Sequence, residues 1–456
     1  MLSVPLSAFE EYMFRDDRPE YPMTMATTLF FRGKVDVGLL SQAFDETIAS
    51  EPLYRSIVCK KKRRWYWIPS QNVPVLQQCE ALQQPRGDSG IDPLVSFNLR
   101  HSPGVLCEYR AIPNGFVIRL HVHHAICDGL ATMRFIGNWF ARYGELIGDT
   151  ENLSSCFSDP NLLLQRENLQ IILPHPLSRR TIAQSFYREV SHWLLRYPCR
   201  LKSLSNPISA INSPDSFSEV AKKGTSLFWT RLPEEFFDAY RCAAKKRAVS
   251  INTLFLGDYF QVLRQWLETT AGKQFDKKWI RVLMPTNLRK SCHNGIPAAN
   301  MLGYVFLDRQ MKDCSQPESL YTGIQNDVEM VKTWSMGAMF LSGVKMARQI
   351  PGGLTWTTSK YFCHATSIFS NIGCPCKILS QKRFHLAGTI RVGDAELVQL
   401  TGGPPVRPHS PLSGGLLLQG RFWTLSVVAD LNRFPVADVI HFRNLLIDRF
   451  NQTAQS

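Results

Sequence analysis

Phe116-Val117-Ile118-Arg119-Leu120-His121-Val122-His123-His124-Ala125-Ile126-Cys127-Asp128-Gly129 reads as a β-strand that stops at its histidines and turns into a helix. By the two-residue strand period Phe116, Ile118, Leu120, Val122 and His124 share one face, and Arg119, His121 and His123 share the other. Among the histidines, His124 alone points with the apolar set. An imidazole directed inward at a strand end, just ahead of a loop, is placed to line a channel between packed elements. Its ordinary pKa of about 6.5 lets it take a proton, near neutral pH, from a hydroxyl or amine that attacks a carbonyl. Asp128 stands where a helix cap or a buried ion pair would hold the turn, and Gly129 would permit a tight one.

Two other readings stand beside this one. The histidines could be satisfied core residues or metal ligands, but His121, His123 and His124 do not share one face. No second cluster has zinc-ligand spacing either, Cys374-Pro375-Cys376 being too short for a CxxC pair, so no metal is expected. Cys127 could be a nucleophile only if the turn folded it back onto His124, and a buried, inert thiol is the simpler reading.

Outward from this stretch, the following helix presents Leu130, Met133, Ile136, Trp139, Phe140 and Tyr143 on one side. Upstream, Thr27, Leu29 and Phe31 alternate with Ala26, Thr28 and Phe30 as a strand ending at Gly33. A helix follows it, with Asp36 as N-cap and Leu39, Leu40, Ala43, Phe44 and Ile48 at helical spacing, until Pro52 closes the unit. From about Ser154 to Asp215 prolines are scattered among polar residues, which reads as a crossing linker. An amphipathic stretch near Phe186–Tyr197 within it has two readings, a packing helix or a membrane-surface helix. The second half repeats the style of the first: a helix from about Ser250, a strand from Trp279 to Pro285, a strand around Trp423–Ala429 and a final helix around Val439–Phe450. The expected organisation is a first half over 1–180, a linker over 181–222 and a second half over 223–456, both halves of mixed α/β type.

A chain of 456 residues exceeds what one hydrophobic core usually supports, which agrees with two halves. With 44% hydrophobic and 20% charged residues it has the composition of a folded globular protein. The first residues lack the basic flank of a signal peptide, no run reaches the roughly 18 apolar residues of a spanning helix, and twelve cysteines without a secretory signal read as reduced thiols. A cytoplasmic location is the expectation. The net charge of +14 favours anionic partners. Its densest run, Lys60-Lys61-Lys62-Arg63-Arg64 before Trp65-Tyr66-Trp67, reads as a solvated loop beside a strand, and no nucleic-acid motif accompanies it.

His123-His124-Ala125-Ile126-Cys127-Asp128-Gly129 also resembles the HHxxxDG motif of the chloramphenicol-acetyltransferase-like, coenzyme-A-dependent acyltransferases, which include condensation domains, polyketide-associated acyltransferases and wax-ester synthases. Gly33-Lys34-Val35-Asp36 with Pro52-Leu53-Tyr54-Arg55 is similar to the opening unit of that superfamily. Met284-Pro285-Thr286-Asn287-Leu288-Arg289 and Asn300-Met301-Leu302-Gly303-Tyr304 are similar to the core of its second half, and Ser370-Asn371-Ile372-Gly373-Cys374-Pro375 and Ser410-Pro411-Leu412 to wax-synthase-like C-terminal segments. The glycine and proline pattern usual after Ser370-Asn371 is missing, as is the DFGWG motif of plant relatives, which leaves acceptor and acyl chain open.

The resemblance implies two pseudo-symmetric α/β sandwich halves with a tunnel between them. It implies an acyltransferase that moves an acyl group from a thioester, of coenzyme A or of a carrier protein's phosphopantetheine, to a hydroxyl or amine without an acyl-enzyme. His124 would be the general base, His123, Asp128, Gly129 and Arg289 supporting residues, and Asn300, Ser370 and Asn371 substrate-binding residues, with Arg289 the partner of Asp128. No bound cofactor is implied, the acyl thioester being a co-substrate. The partners would be donor, acceptor and an acidic acyl carrier protein, with peripheral membrane contact and no nucleic acid. The alternatives are a condensation-type, amide-forming enzyme acting on carrier-bound substrates and a non-catalytic binding protein that retains the fold.

Overall fold

A computed structural model describes residues 3–82, 88–149, 158–168, 183, 187, 224–271, 276–290, 293, 295–375 and 389–456. Most of the crossing stretch, including the Phe186–Tyr197 segment apart from Tyr187, lies outside the described residues. Its piece Pro160–Glu167 is a 3-10 helix rather than open linker, because Arg166 is buried against Glu10 at 2.6 Å and docks it on the first half.

In chain order the first half contributes β1 (Val4–Pro5), α1 (Ala8–Asp16), β2 (Thr24–Arg32), α2 (Val37–Ser50), β3 (Ser56–Lys61), β4 (Arg64–Pro69), β5 (Leu76–Gln78), β6 (Ser89–Pro93), β7 (Val105–Ile112), β8 (Gly115–His123) and α3 (Gly129–Leu146). The second contributes β9 (Thr225–Arg231), β10 (Trp279–Asn287), β11 (Leu302–Gln310), β12 (Ser367–Gly373), β13 (Arg391–Val392), β14 (Ala395–Gly402), β15 (Leu412–Gln419) and β16 (Phe422–Asp430). Its main helices are Glu234–Lys246, Ile251–Ala271, Pro317–Thr333, Met336–Gln349 and Val436–Gln455. Among the described residues no helix is long and apolar enough to cross a membrane.

Local sequence explains the elements that place the site. Ser7 and Glu10 form a reciprocal capping box that starts α1. Asp36 accepts from the Leu39 N–H to start α2, and Gly33 takes a φ of +93° between β2 and that helix, a conformation open to glycine at little cost. The basic run is the tip of the β3–β4 hairpin rather than a loop beside a strand. Lys62 turns at a φ of 55°, and Lys60 and Lys61 lie over the Trp65 and Tyr66 rings.

The two main sheets are interlocked. One has the order β13-β14-β2-β8-β7-β5, the other β11-β10-β12-β15-β16-β9-β6. Thus β14, from the second half, pairs antiparallel with β2, and β6, from the first, pairs antiparallel with β9. The sheet of the first half is finished by β13 and β14 of the second, and that of the second by β6 of the first, an exchange that a division into 1–180 and 223–456 does not convey.

The strand before the histidines is buried on both faces, not one. Phe116, Ile118, Leu120 and Val122 join the cluster beneath α2 and α3, while Val117 packs with Leu227, Trp229 and Val428 of the other sheet. Arg119 and His121 are therefore interior, and Arg119 reaches Glu108 at 3.0 Å and Asp92 at 3.4 Å. A buried cation needs such partners. His121, with no hydrogen bond to either ring nitrogen among the described residues, is held neutral by burial, which pulls its pKa down to about 3.

Candidate active site

β8 ends at His123, and the next residues turn away from the sheet before α3. His123 sits in the wall: its Nδ1 accepts from the Ala125 N–H at 3.0 Å, so Nε2 carries the ring proton, 3.5 Å from Asp17 Oδ1. His124 lines a cavity at the junction of the two halves, beside Met25 and Asp128 of the first and Arg289, Tyr304 and Asn371 of the second. Its Nδ1 is sealed in, with no hydrogen-bond partner among the described residues. Burial pulls the His124 pKa below the ordinary imidazole value, opposed by its own carbonyl, the Asp128 carboxylate and Asn300 and assisted by His123. Neutral imidazole is the favoured form at neutral pH.

Asp128 caps α3, its Oδ1 accepting from the Ala131 N–H at 3.0 Å. Its Oδ2 accepts from the Met301 N–H at 2.8 Å and from Arg289 Nη1 at 2.8 Å. The carboxylate thus both starts the helix and ties the turn to the second half. Arg289 also donates to the Ala299 carbonyl at 2.7 Å, so one guanidinium grips the aspartate and the segment beside Met301. Gly129 has no positive φ. What it supplies is space, since a Cβ there would lie 3.1 Å from Ile372 Cδ1.

Asn300 is not on the cavity wall. Its Nδ2 donates to the His124 carbonyl at 2.6 Å and the Ala125 carbonyl at 3.2 Å, and the residue is 5% exposed. With both amide hydrogens given to the main chain of the histidine turn, it holds that turn rather than a substrate. Ser370 and Asn371 do line the cavity. The reason lies in the sheet: β10 and β12 are paired only at Val282↔Ser367 and Leu283↔Ile368 and separate afterwards. The cleft so opened is walled by Pro285, Thr286 and Asn287 on one side and Ser370 and Asn371 on the other. A second cavity, reaching Lys332 and Ala338, adjoins it through Pro285, Thr286, Asn287, Arg289 and Asn371.

Cys127 is engaged elsewhere. Its sulfur lies 3.2 Å from the Tyr54 hydroxyl and 3.3 Å from Thr132 Oγ1, and burial pushes its pKa up to about 12. Among the described residues no group of three or more His, Cys, Asp or Glu is arranged to hold a metal ion.

Two groups carry no local sequence signal. Arg407, on the cavity wall, pairs through Nε and Nη2 with Asp16 at 2.6 and 2.7 Å, a partner 391 positions away. Glu51, fully buried at the end of α2, accepts from the Ala298 N–H at 2.6 Å and from the Ser158 hydroxyl at 3.1 Å. Burial raises its pKa to about 7 against the opposing effects of Ala298, Arg134 and Ser158. The Met23 and Met25 walls are likewise unmarked, methionine in a strand being ordinary core filling.

The chain matches no family model and no curated protein. Solved structures do resemble it over full length. The SgcC5 protein from Streptomyces globisporus is 15% identical with a TM-score of 0.66, over 99% of this chain and 98% of that one. The first condensation domain of the calcium-dependent antibiotic synthetase, bound to a substrate analogue, is 13% identical with a TM-score of 0.67, over 100% and 97%. A variant of the starter condensation domain of rhizomide synthetase, in complex with C8-CoA and Leu-SNAC, is 12% identical with a TM-score of 0.62, over 100% and 95%. Full-length likeness at such low identity speaks for the fold, and this chain has the two-lobed, chloramphenicol-acetyltransferase-like fold of condensation domains.

Proposed function

We propose that the protein is an acyltransferase that moves an acyl group from a thioester to a hydroxyl or amine, with His124 as general base. The observation that carries this reading is a buried, neutral-favouring imidazole on the wall of a cavity shared by both halves. With Nδ1 sealed in, Nε2 is the nitrogen assigned to the acceptor. The acceptor's lone pair attacks the thioester carbonyl while its proton passes to Nε2. The tetrahedral intermediate then collapses, the C–S bond breaks, and the departing thiolate takes the proton back from the imidazolium. No acyl-enzyme is needed, and the high thiol pKa of Cys127 supports a direct route. Asp128 and Arg289 fix the turn without touching the reacting atoms.

The donor is an acyl-coenzyme A or an acyl-phosphopantetheine on an acidic carrier protein, for which the net charge of +14 is favourable. The rhizomide domain bound to C8-CoA supports the first, and the likeness to condensation domains keeps amide formation on carrier-bound substrates as the second reading. A panel of acyl-coenzyme A and acyl-carrier donors against alcohols and amines tests both. His124→Ala is expected to lower turnover by roughly 10²- to 10⁴-fold with folding retained. Equal, measurable turnover by wild type and variant would remove His124 as the base, whereas no turnover by either protein across the panel would favour a binding protein that kept the fold. Because the His124 pKa is depressed, kcat/KM should rise with pH through a value below about 6.5 and then level off. A profile still climbing well above that pH contradicts the assignment.

A further inference from the structure

Four large apolar side chains stand in solvent within one short segment. Met346 is 65% exposed, Ile350 59%, Trp356 63% and Tyr361 78%. The other exposed large apolar residues among those described are distributed over the chain, from Val37 to Tyr187. The segment is the end of the helix Met336–Gln349, the short helix Gly353–Thr357 and the turn after it. Trp356 is braced by Phe362, 4.7 Å away at 64° between the ring planes, so the indole is held outward rather than folded under.

The charge around this ridge is one-sided. From Val331 to Gly393 the sequence has no Asp or Glu, while Lys345, Arg348 and Lys360 lie on or beside the ridge. Lys360 is exposed, with Nζ 5.1 Å from the centre of the Tyr361 ring. The nearby acids are already matched: Glu167 by Arg348 at 3.6 Å and Lys345 at 4.0 Å, and Glu11 by Arg15, whose Nη1 also reaches Thr355. Exposed aromatic and aliphatic side chains beside the exposed Lys360 ammonium, with two cations set against the single Glu167 carboxylate, are complementary to an interface of acyl chains below anionic headgroups. They suit an acidic protein surface less well, since such a surface would meet Trp356 and Ile350 with charge.

We propose that the Met346–Tyr361 ridge docks the protein on an anionic lipid surface. The helix Met336–Gln349 starts at the second cavity, which Gly337 and Ala338 line, and carries Met346 toward the ridge. At 1.5 Å per residue, docking would therefore hold the cavity within about 20 Å of the lipid.

Co-sedimentation of the full chain with vesicles tests this without reference to acyl transfer, so its failure would leave the proposed chemistry untouched. Wild type should partition onto phosphatidylcholine vesicles containing phosphatidylglycerol, and more weakly onto phosphatidylcholine alone. The double variant Trp356→Ser/Tyr361→Ser should lower partition on both by about tenfold or more. Lys360→Glu should lower it on the anionic vesicles only, by about fivefold for each unit of charge. Thermal melting controls for folding, and Lys360→Glu, a change at an exposed position, keeps the test open if the double variant is unstable. Wild type staying in the supernatant with both vesicles, partition unmoved by either variant, or a concentration-dependent dimer abolished by the same substitutions in place of vesicle binding would each overturn the proposal.

Discussion

Two carboxylates of the first half reach two arginines of the second, and both arginines line one cavity, yet the pairs are built differently. Asp128 receives two backbone N–H groups besides Arg289, whose side chain is 20% exposed. Asp16 and Arg407 are almost wholly out of water, at 1% and 9% side-chain exposure, with the guanidinium reaching both carboxylate oxygens. Burial works against the charge on Arg407, and Asp16 more than offsets it, leaving its pKa above the ordinary arginine value. The first pair orients a turn that would still be held in part without the arginine. The second is a clamp whose halves have little else to satisfy them, apart from Arg18, 3.2 Å from Asp16. One cavity therefore has a positioning pair and a stabilising pair, and they should fail in different ways.

Arg407→Leu should give the largest loss of stability, about 3 kcal/mol in urea unfolding, because it strands a buried carboxylate. Turnover measured well below the new midpoint should change less. A stable Arg407→Leu protein would mean that Arg18 alone satisfies Asp16. For Arg289→Ala the expectation reverses: about 1–2 kcal/mol of stability, since Asp128 keeps its N–H donors, but a turnover loss on the order of 10- to 100-fold as the Asn300 segment loosens behind His124. Arg289→Lys restores the charge opposite Asp128 without the second donor to Ala299, so it should recover part of kcat. If Arg289→Ala leaves both turnover and stability intact, the positioning role is wrong.

The same contrast marks what could be read without coordinates. The histidine strand, the helix capped by Asp128, the unit from β2 to Pro52 and the last strand and helix are local, written in alternation, helical spacing and cap residues, and they lie where those patterns place them. Asp128 was recognisable because its motif is contiguous. Asp16 and Arg407 carry no motif and meet only because β14 adds to the first sheet, a pairing that no local pattern encodes. That β8 would be interior on both faces was hidden for the same reason: the second sheet that covers Arg119 and His121 comes from distant sequence. Asn300 was legible as a site residue but not as to what it holds, since an amide that binds a substrate and one that binds the main chain look alike in sequence.

Glu51 extends the comparison to a carboxylate that, unlike Asp128 and Asp16, makes no ion pair within 4.0 Å among the described residues, Arg134 acting on it from farther off. It accepts from Ala298, two residues before Asn300, and burial lifts its pKa to about 7 from an ordinary 4.5. A folded-state pKa above the unfolded value means that the native chain keeps a proton which the unfolded chain releases. This group therefore costs stability as pH rises from about 4.5 to about 7 and not below that window. Glu51→Gln can still accept from the Ala298 N–H through its amide oxygen while removing the titration. The unfolding free energy of the variant relative to wild type should thus move in the variant's favour between pH 5 and pH 8, by on the order of 2 kcal/mol. Equilibrium urea unfolding of both proteins across that range measures it. Parallel stability curves would show instead that Glu51 titrates like an exposed carboxylate and meets Ala298 in its ionised form.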